Sequence, residues 1–199
     1  MKANCNAFEF LVSCIKDYIP LSDAEIKVVE SLFTKEHYRK NEVLHREGSI
    51  CRKLFFVARG ILRFSQLTDG EERTYVFRAE GAFCNDLDSF LQQTPSQSSI
   101  TALGPVTVFS ISYEKLQVFY DSLQYGDRFG RLAIEKVFVM VVNHLTTFYS
   151  ETPQQRYERF VKYHKPLLQR IPQYYIASYI GVSPQALCRI KKKQLLANS

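Results

Sequence analysis

The chain has 199 residues, 46% of them hydrophobic, so it can bury one large core or two small ones and is not a disordered polymer. No apolar run approaches the roughly 18 residues that a membrane span needs. The first segment, MKANCNAFEFLVSCIKDY, carries acids inside its apolar stretch, so no signal peptide is read there and a cytoplasmic location is expected. The net charge of +6 is lopsided: residues 1–152 hold 17 Lys+Arg against 19 Asp+Glu, whereas residues 153–199 hold 9 Lys+Arg against Glu158 alone. A cationic module on a nearly neutral body points to a polyanion, nucleic acid before an acidic membrane.

The first element, from Cys5 to Lys35, reads as helical. Ser22 and Glu25 stand as a capping box, and Ile26, Val29, Leu32 and Phe33 follow at helical spacing. From Glu36 to Ile111 the period changes to short runs such as KLFFVARG, ILRFSQL, RTYVFRAEG and VTVFSIS, punctuated at Gly48, Gly60, Asp69-Gly70, Gly81 and Gly104-Pro105. Many short strands with regular turn signals mean a sandwich or barrel. Asp69-Gly70 suits a hairpin turn, and Asn85 to Leu91 reads as a helical turn or two between strands.

Helical period returns at Glu114, and the longest helix is expected from Asp127 to Tyr149. Phe129, Leu132, Ala133, Val137, Met140, Val141, Leu145 and Phe148 form its stripe, and the run Val137–Val142 is apolar all round, which calls for cover on more than one side. Thr152 caps a further helix opening at Pro153, with Tyr157, Phe160 and Val161 inward and Arg156, Arg159 and Lys162 outward. The expected domains are therefore 1–126, the helix 127–150, and 151–199.

Five cysteines (Cys5, Cys14, Cys51, Cys84, Cys188), odd in number and without a C-x-x-C pair, read as incidental thiols rather than a disulfide framework, a zinc site or an iron–sulfur site. The stretch from Gln173 carries more information. A helix-turn-helix needs a small residue where its helices cross, a residue tolerant of positive φ in the turn, and apolar inner faces. Ala177 and Gly181 stand at the first two places, and Ile176, Ile180, Val182, Leu187 and Ile190 at the apolar ones. Ser183 and Pro184 open the second helix. Its outer face would be Pro184, Gln185, Ala186, Cys188, Arg189, Lys191 and Lys192. Gln185 and Arg189, four apart, are the residue types that read adenine and guanine bidentately. Lys191, Lys192 and Lys193 suit phosphates, as does the helix start at Ser183.

A helical lead, a glycine-punctuated β-roll, one long helix and a C-terminal helix-turn-helix resemble the Crp/Fnr superfamily of bacterial transcription regulators. REGSICRKLFFVARGILRFSQLTDGEERTYVFRAEGAF resembles the first half of that family's cyclic-nucleotide-binding fold, and ETPQQRYERFVKYHKPLLQRIPQYYIASYIGVSPQALCRIKKK is similar to the DNA-binding end of a branch common in Bacteroidetes-type bacteria. The resemblance implies an α+β protein: a jelly-roll-like β-roll with flanking helices, a dimerisation helix and a DNA-binding domain. It further implies a homodimer joined through Phe129, Leu132, Ala133, Val137, Met140, Val141 and Leu145. That dimer would sit on a pseudo-palindromic double-stranded DNA operator, with RNA polymerase as a further partner. Arg189 matches the recognition-helix arginine, and Gln185 stands where a base-reading acidic residue often does.

The same resemblance places an effector pocket at Phe83, Asn85, Asp86, Leu87, Gln97, Ser98 and Ser99, but the nucleotide-binding motifs are altered. Where the family has Gly-Glu-Leu, this chain has Asn85-Asp86-Leu87. Where an arginine would hold the phosphate, it has Ser96-Gln97-Ser98-Ser99. Without a guanidinium the phosphate loses its bidentate partner, and Asp86 and Asp88 add like charge. Cyclic AMP is not the expected ligand; the pocket takes an unidentified effector or none. Only about eight residues separate His164 from Gln173, so a reduced wing or none is expected.

Among enzymes, a cupin is the rival of similar shape, but His37, His45, His144 and His164 form no H-x-H pair for a metal. Neither a nucleophile elbow nor a P-loop occurs. No catalytic residue, metal or cofactor is assigned. The alternative is a dimerising or effector-binding scaffold that does not read DNA.

Overall fold

A computed structural model describes residues 6–197. Cys5 therefore lies outside the described residues.

Two short helices lead, α1 (Ala7–Lys16) and α2 (Asp23–Leu32). Each opens with a reciprocal capping box, Asn6 with Glu9 and Ser22 with Glu25, which satisfies first-turn N–H groups that the helices cannot pair themselves. Eight strands follow: β1 (Thr34–Tyr38), β2 (Val43–His45), β3 (Lys53–Arg59), β4 (Leu62–Thr68), β5 (Glu71–Arg78), β6 (Phe83–Cys84), β7 (Ser99–Ala102) and β8 (Val106–Ser112), with α3 (Leu87–Gln92) between β6 and β7. They form two four-stranded sheets, β1-β8-β3-β6 and β2-β7-β4-β5. The β4–β5 turn at Asp69 and Gly70 has positive φ at both residues (53° and 78°), the geometry that matches a hairpin's twist.

The continuous apolar reading of β3 and β8 has a physical cause. Leu54 and Phe56 stand opposite Ile111 and Phe109 on one face, covered by the flanking helices; Phe55, Val57 and Val108 lie on the other face and are also buried. A strand covered on both sides needs no polar alternation. Aromatic rings join the helical side: Phe10 to Phe56 at 5.5 Å, Phe56 to Phe83 at 4.9 Å, and Phe83 to Phe129 at 5.3 Å.

Helices then take over: α4 (Tyr113–Ser122), α5 (Gly126–Ser150), α6 (Pro153–His164), a single 3-10 turn, α7 (Gln173–Ile180) and α8 (Pro184–Ala197). The start of α5 is seated on α4. A Cβ placed on Gly126 would come within 2.2 Å of the Tyr120 carbonyl oxygen, and one on Gly130 within 3.0 Å of the Tyr120 ring. The chain divides into two compact units, Met1–Gln66 with Phe77–Lys136, and Leu67–Val76 with Val137–Ser199. Among the described residues, no helix is long and apolar enough to cross a membrane.

Candidate nucleic-acid interface

The second unit builds its site from three short helices. Thr152 caps α6 in a reciprocal box with Gln155, ahead of Pro153. Tyr157 and Phe160 are buried beneath it. No strand follows β8 among the described residues, so α6 passes to α7 through the 3-10 turn without a wing. Ile176, Ala177 and Ile180 of α7 and Leu187 of α8 are almost wholly buried, with Ala177 at 0% exposure where the two helices cross.

Gly181 ends α7 at φ +75°, and the Val182 N–H returns to the Ala177 carbonyl at 3.0 Å. This left-handed cap turns the chain within two residues. The Ser183 hydroxyl then accepts the Ala186 N–H at 3.2 Å and starts α8. Ser183, Pro184, Gln185, Cys188, Arg189, Lys192 and Lys193 are exposed, and Ala186 is half-buried. Of the residues that spacing points outward, Pro184, Gln185, Cys188, Arg189 and Lys192 are exposed. Lys191 differs: it is half-buried, and its Nζ donates to Gln173 Oε1 at 2.9 Å, tying α8 to the first turn of α7.

One arginine of α6 departs further from the expected outward face. Arg159 is exposed as expected and pairs with Glu151, Nε donating to Oε1 at 2.8 Å. Arg156 is half-buried and points across the unit, its Nε donating to the Ile180 carbonyl at 2.8 Å and its Nη1 to the Glu151 carbonyl at 2.7 Å. Spacing points Arg156 outward because it registers polarity and not the reach of a long side chain. Within this same unit, the Thr74 N–H of β5 donates to Ser178 Oγ at 2.8 Å. His144 of α5 stacks on Phe148 at 5.7 Å and Tyr179 at 5.4 Å, and burial lowers its pKa.

Helix α5 presents an exposed apolar stripe. Ile134, Phe138, Val141 and Leu145 recur at alternating four- and three-residue steps and are 46%, 67%, 47% and 53% exposed, with Val142, Phe148 and Tyr149 beside them. Met140 is exposed, and Leu132, Ala133 and Val137 are half-buried. Phe129 is a correction: at 3% exposure it is buried inside its own chain, packed edge-on against Phe119 and Tyr18. The stripe read from spacing omits Ile134 and Tyr149, and it leaves Phe138 and Val142 to the run read as apolar all round. On a helix apolar all round, sequence does not tell which side belongs to the chain's own core.

The expected effector residues do not converge as a set. Phe83 lies on the helix-covered face, packed on Phe56 and Phe129, and Gln97 is exposed. Asn85, Leu87 and Ser99 are half-buried and Ser98 is buried. Asp86 is engaged by the chain itself: Oδ1 accepts the Ser89 N–H at 3.2 Å, capping α3, and Oδ2 accepts the Ser96 hydroxyl at 2.5 Å. The Ser98 N–H closes on Ser96 Oγ at 2.8 Å. His45 is buried nearby; its Nε2 has no hydrogen-bond partner, and desolvation lowers its pKa against a weaker upward pull from Asp86. A phosphate here would meet a carboxylate, and no Lys or Arg occurs between Asn85 and Ile100. These residues do not fit a cyclic nucleotide's phosphate. Burial pushes the Cys84 thiol up to about 12, and Cys14 and Cys51 are buried too, so Cys188 is the exposed thiol among the described residues. No cluster of His, Cys, Asp and Glu suited to a metal occurs among them.

Residues 35–123, most of the roll, match the model of the cyclic nucleotide-binding domain family. The chain as a whole has the fold of the Crp/Fnr transcriptional regulators. It superposes on FixK2 of Bradyrhizobium japonicum with a TM-score of 0.73 at 16% identity, covering 83% of this chain and 86% of that one. A Crp/Fnr-family regulator from Eubacterium rectale gives 0.70 at 17% identity over 91% and 88%. The c-di-GMP-responsive global regulator CLP of Xanthomonas campestris gives 0.66 at 15% over 89% and 93%. No curated protein matches the sequence.

Proposed function

We propose that this protein is a sequence-specific DNA-binding transcription regulator that works as a homodimer in the cytoplasm. The observation that carries the reading is the second helix of the helix-turn-helix: α8 leaves Gln185, Arg189, Lys192 and Lys193 exposed on one end of a unit with a strongly positive balance. Arg189 and Gln185 would read base edges and the lysines would hold phosphates. The exposed stripe of α5 supports pairing of two copies, since a two-fold axis is the commonest way to cover such a stripe. Two copies would read two half-sites about 34–36 Å apart. RNA polymerase is the further partner. The roll would act as a sensor for something other than cyclic AMP, because Asp86 and Ser96 satisfy each other where a phosphate would lie.

Selecting bound sequences from a random duplex pool tests the reading. A pseudo-palindrome with two equivalent half-sites is expected. Binding that is insensitive to sequence but strongly salt-dependent would leave only a charged scaffold.

A further inference from the structure

We propose that Arg156 is a positioning residue: it locks the turn of the helix-turn-helix to the end of α5 and thereby sets the spacing at which two half-sites are read. The spacing part rests on the DNA-binding reading above; the locking does not.

One guanidinium meets three segments. Its Nε–H satisfies the Ile180 carbonyl, one of the last of α7, whose helical donor is lost where Gly181 turns the chain. Its Nη1–H satisfies the Glu151 carbonyl in the α5–α6 junction. Its guanidinium carbon lies over the Phe148 ring of α5, 4.8 Å from the ring centroid. The same ring presses on the turn: a Cβ on Gly181 would be 3.2 Å from Phe148 Cζ and 3.7 Å from Arg156 Nη2. Ring, guanidinium and turn therefore form one stack.

A planar, multi-donor group is needed for this geometry. Lysine carries a point charge and offers no fork to bridge two carbonyls while its charge sits over a ring. The donors face backbone carbonyls in a half-buried setting, where an unmade bond leaves a desolvated acceptor. Phe148 follows Leu145 and Val141 along the stripe of α5, so the stack ties the recognition turn to the element that would carry the two-fold axis. One base pair of extra spacing rotates a half-site by about 35° around the duplex, so a rigid joint discriminates spacers and a loose one does not.

The test uses the full chain with Cys5→Ser. Nitroxide labels go on Cys188, the exposed thiol, and on Asn143→Cys, exposed on α5. Labelled chains are diluted with unlabelled chain so that pairs within one chain are read. Double electron–electron resonance should give one narrow distance in the parent. Arg156→Leu should at least double its width, and Arg156→Lys should fall between. Far-UV dichroism establishes folding, and Phe148→Leu, which removes the ring while keeping an apolar side chain, should broaden the distance if Arg156→Leu does not fold. On selected DNA, the preference for the best spacer over spacers one base pair longer or shorter should drop at least fivefold in Arg156→Leu, with each half-site sequence unchanged. An unaltered distance width in folded variants would overturn the lock, and an equal affinity loss on every spacer would overturn its role in setting the spacing. If the parent reads no DNA sequence yet the width still responds, the function falls and the lock stands.

Discussion

Phe138→Ala separates a dimer helix from an ordinary core helix. Phe138 is 67% exposed at the centre of the α5 stripe. An aromatic side chain presents about 150–250 Å². Covering two thirds of it removes about 100–170 Å² from water, which at ~25 cal/mol per Å² amounts to about 2.5–4 kcal/mol. Alanine keeps the Cβ, so the loss is about 2 kcal/mol per copy and about 4 kcal/mol per dimer, a rise of about a thousandfold in the dimer dissociation constant. The protomer itself should hardly change, because an exposed substitution stays within about 0.5 kcal/mol and alanine favours the helix. Sedimentation velocity over a concentration series reads the first quantity and thermal melting of the dissociated protomer the second. A variant that dimerises as tightly as the parent would show that another face pairs; one that loses protomer stability would show that Phe138 is covered within its own chain.

Arg189→Ala should weaken specific binding by about 1–3 kcal/mol and relax preference at one base pair per half-site, whereas equal weakening on all sequences in titrations would assign Arg189 to a phosphate. Millimolar cyclic AMP should leave the melting temperature unchanged; a ligand at about 100 times its dissociation constant adds about 2.7 kcal/mol, so a clear upward shift would refute the reading of the Asp86–Ser96 bond. Stability should fall as pH drops through and below the ordinary histidine range. His45 and His144 are held neutral by burial, so the unfolded chain takes up protons first, and the stability present above the unfolded pKa is lost towards the lowered folded one. His144→Phe should flatten the difference between melts at pH 7.5 and 5.5, and an unchanged slope would exclude His144 as a source. Gly181→Ala should cost at least about 1–2 kcal/mol for the left-handed backbone alone, with further strain against Phe148, readable as a lower denaturant midpoint.

Much of this architecture was legible because local chemistry is emphatic. The Ser22–Glu25 and Thr152–Pro153 helix starts, the Asp69-Gly70 turn and the Ala177–Gly181–Ser183 spacing each have one favourable geometry, and each is adopted. Spacing misplaces Arg156 and Lys191 because it locates a Cβ, whereas these side chains act several ångströms away, on Ile180 and Gln173. Phe83 was placed in a pocket by family likeness, yet strand pairing with Phe56 turns it to the helical side. Asp86 reads as a ligand contact until its two oxygens are seen to be occupied by Ser89 and Ser96, a closure no linear pattern encodes.

The seat of α5 on Tyr120 bears on how this sequence can drift. A surface stripe such as Ile134–Leu145 accepts any apolar exchange that keeps its area, so it offers selection many equivalent spellings. Position 126 offers one, because even a methyl group would collide with the backbone of Tyr120, and backbone cannot be traded for a smaller residue. Position 130 is bound to the ring of that same tyrosine. Two glycines four apart, six and ten residues after an aromatic residue, thus form a fingerprint of the elbow into the long helix. That fingerprint should persist among descendants after the identities along the stripe have been scrambled.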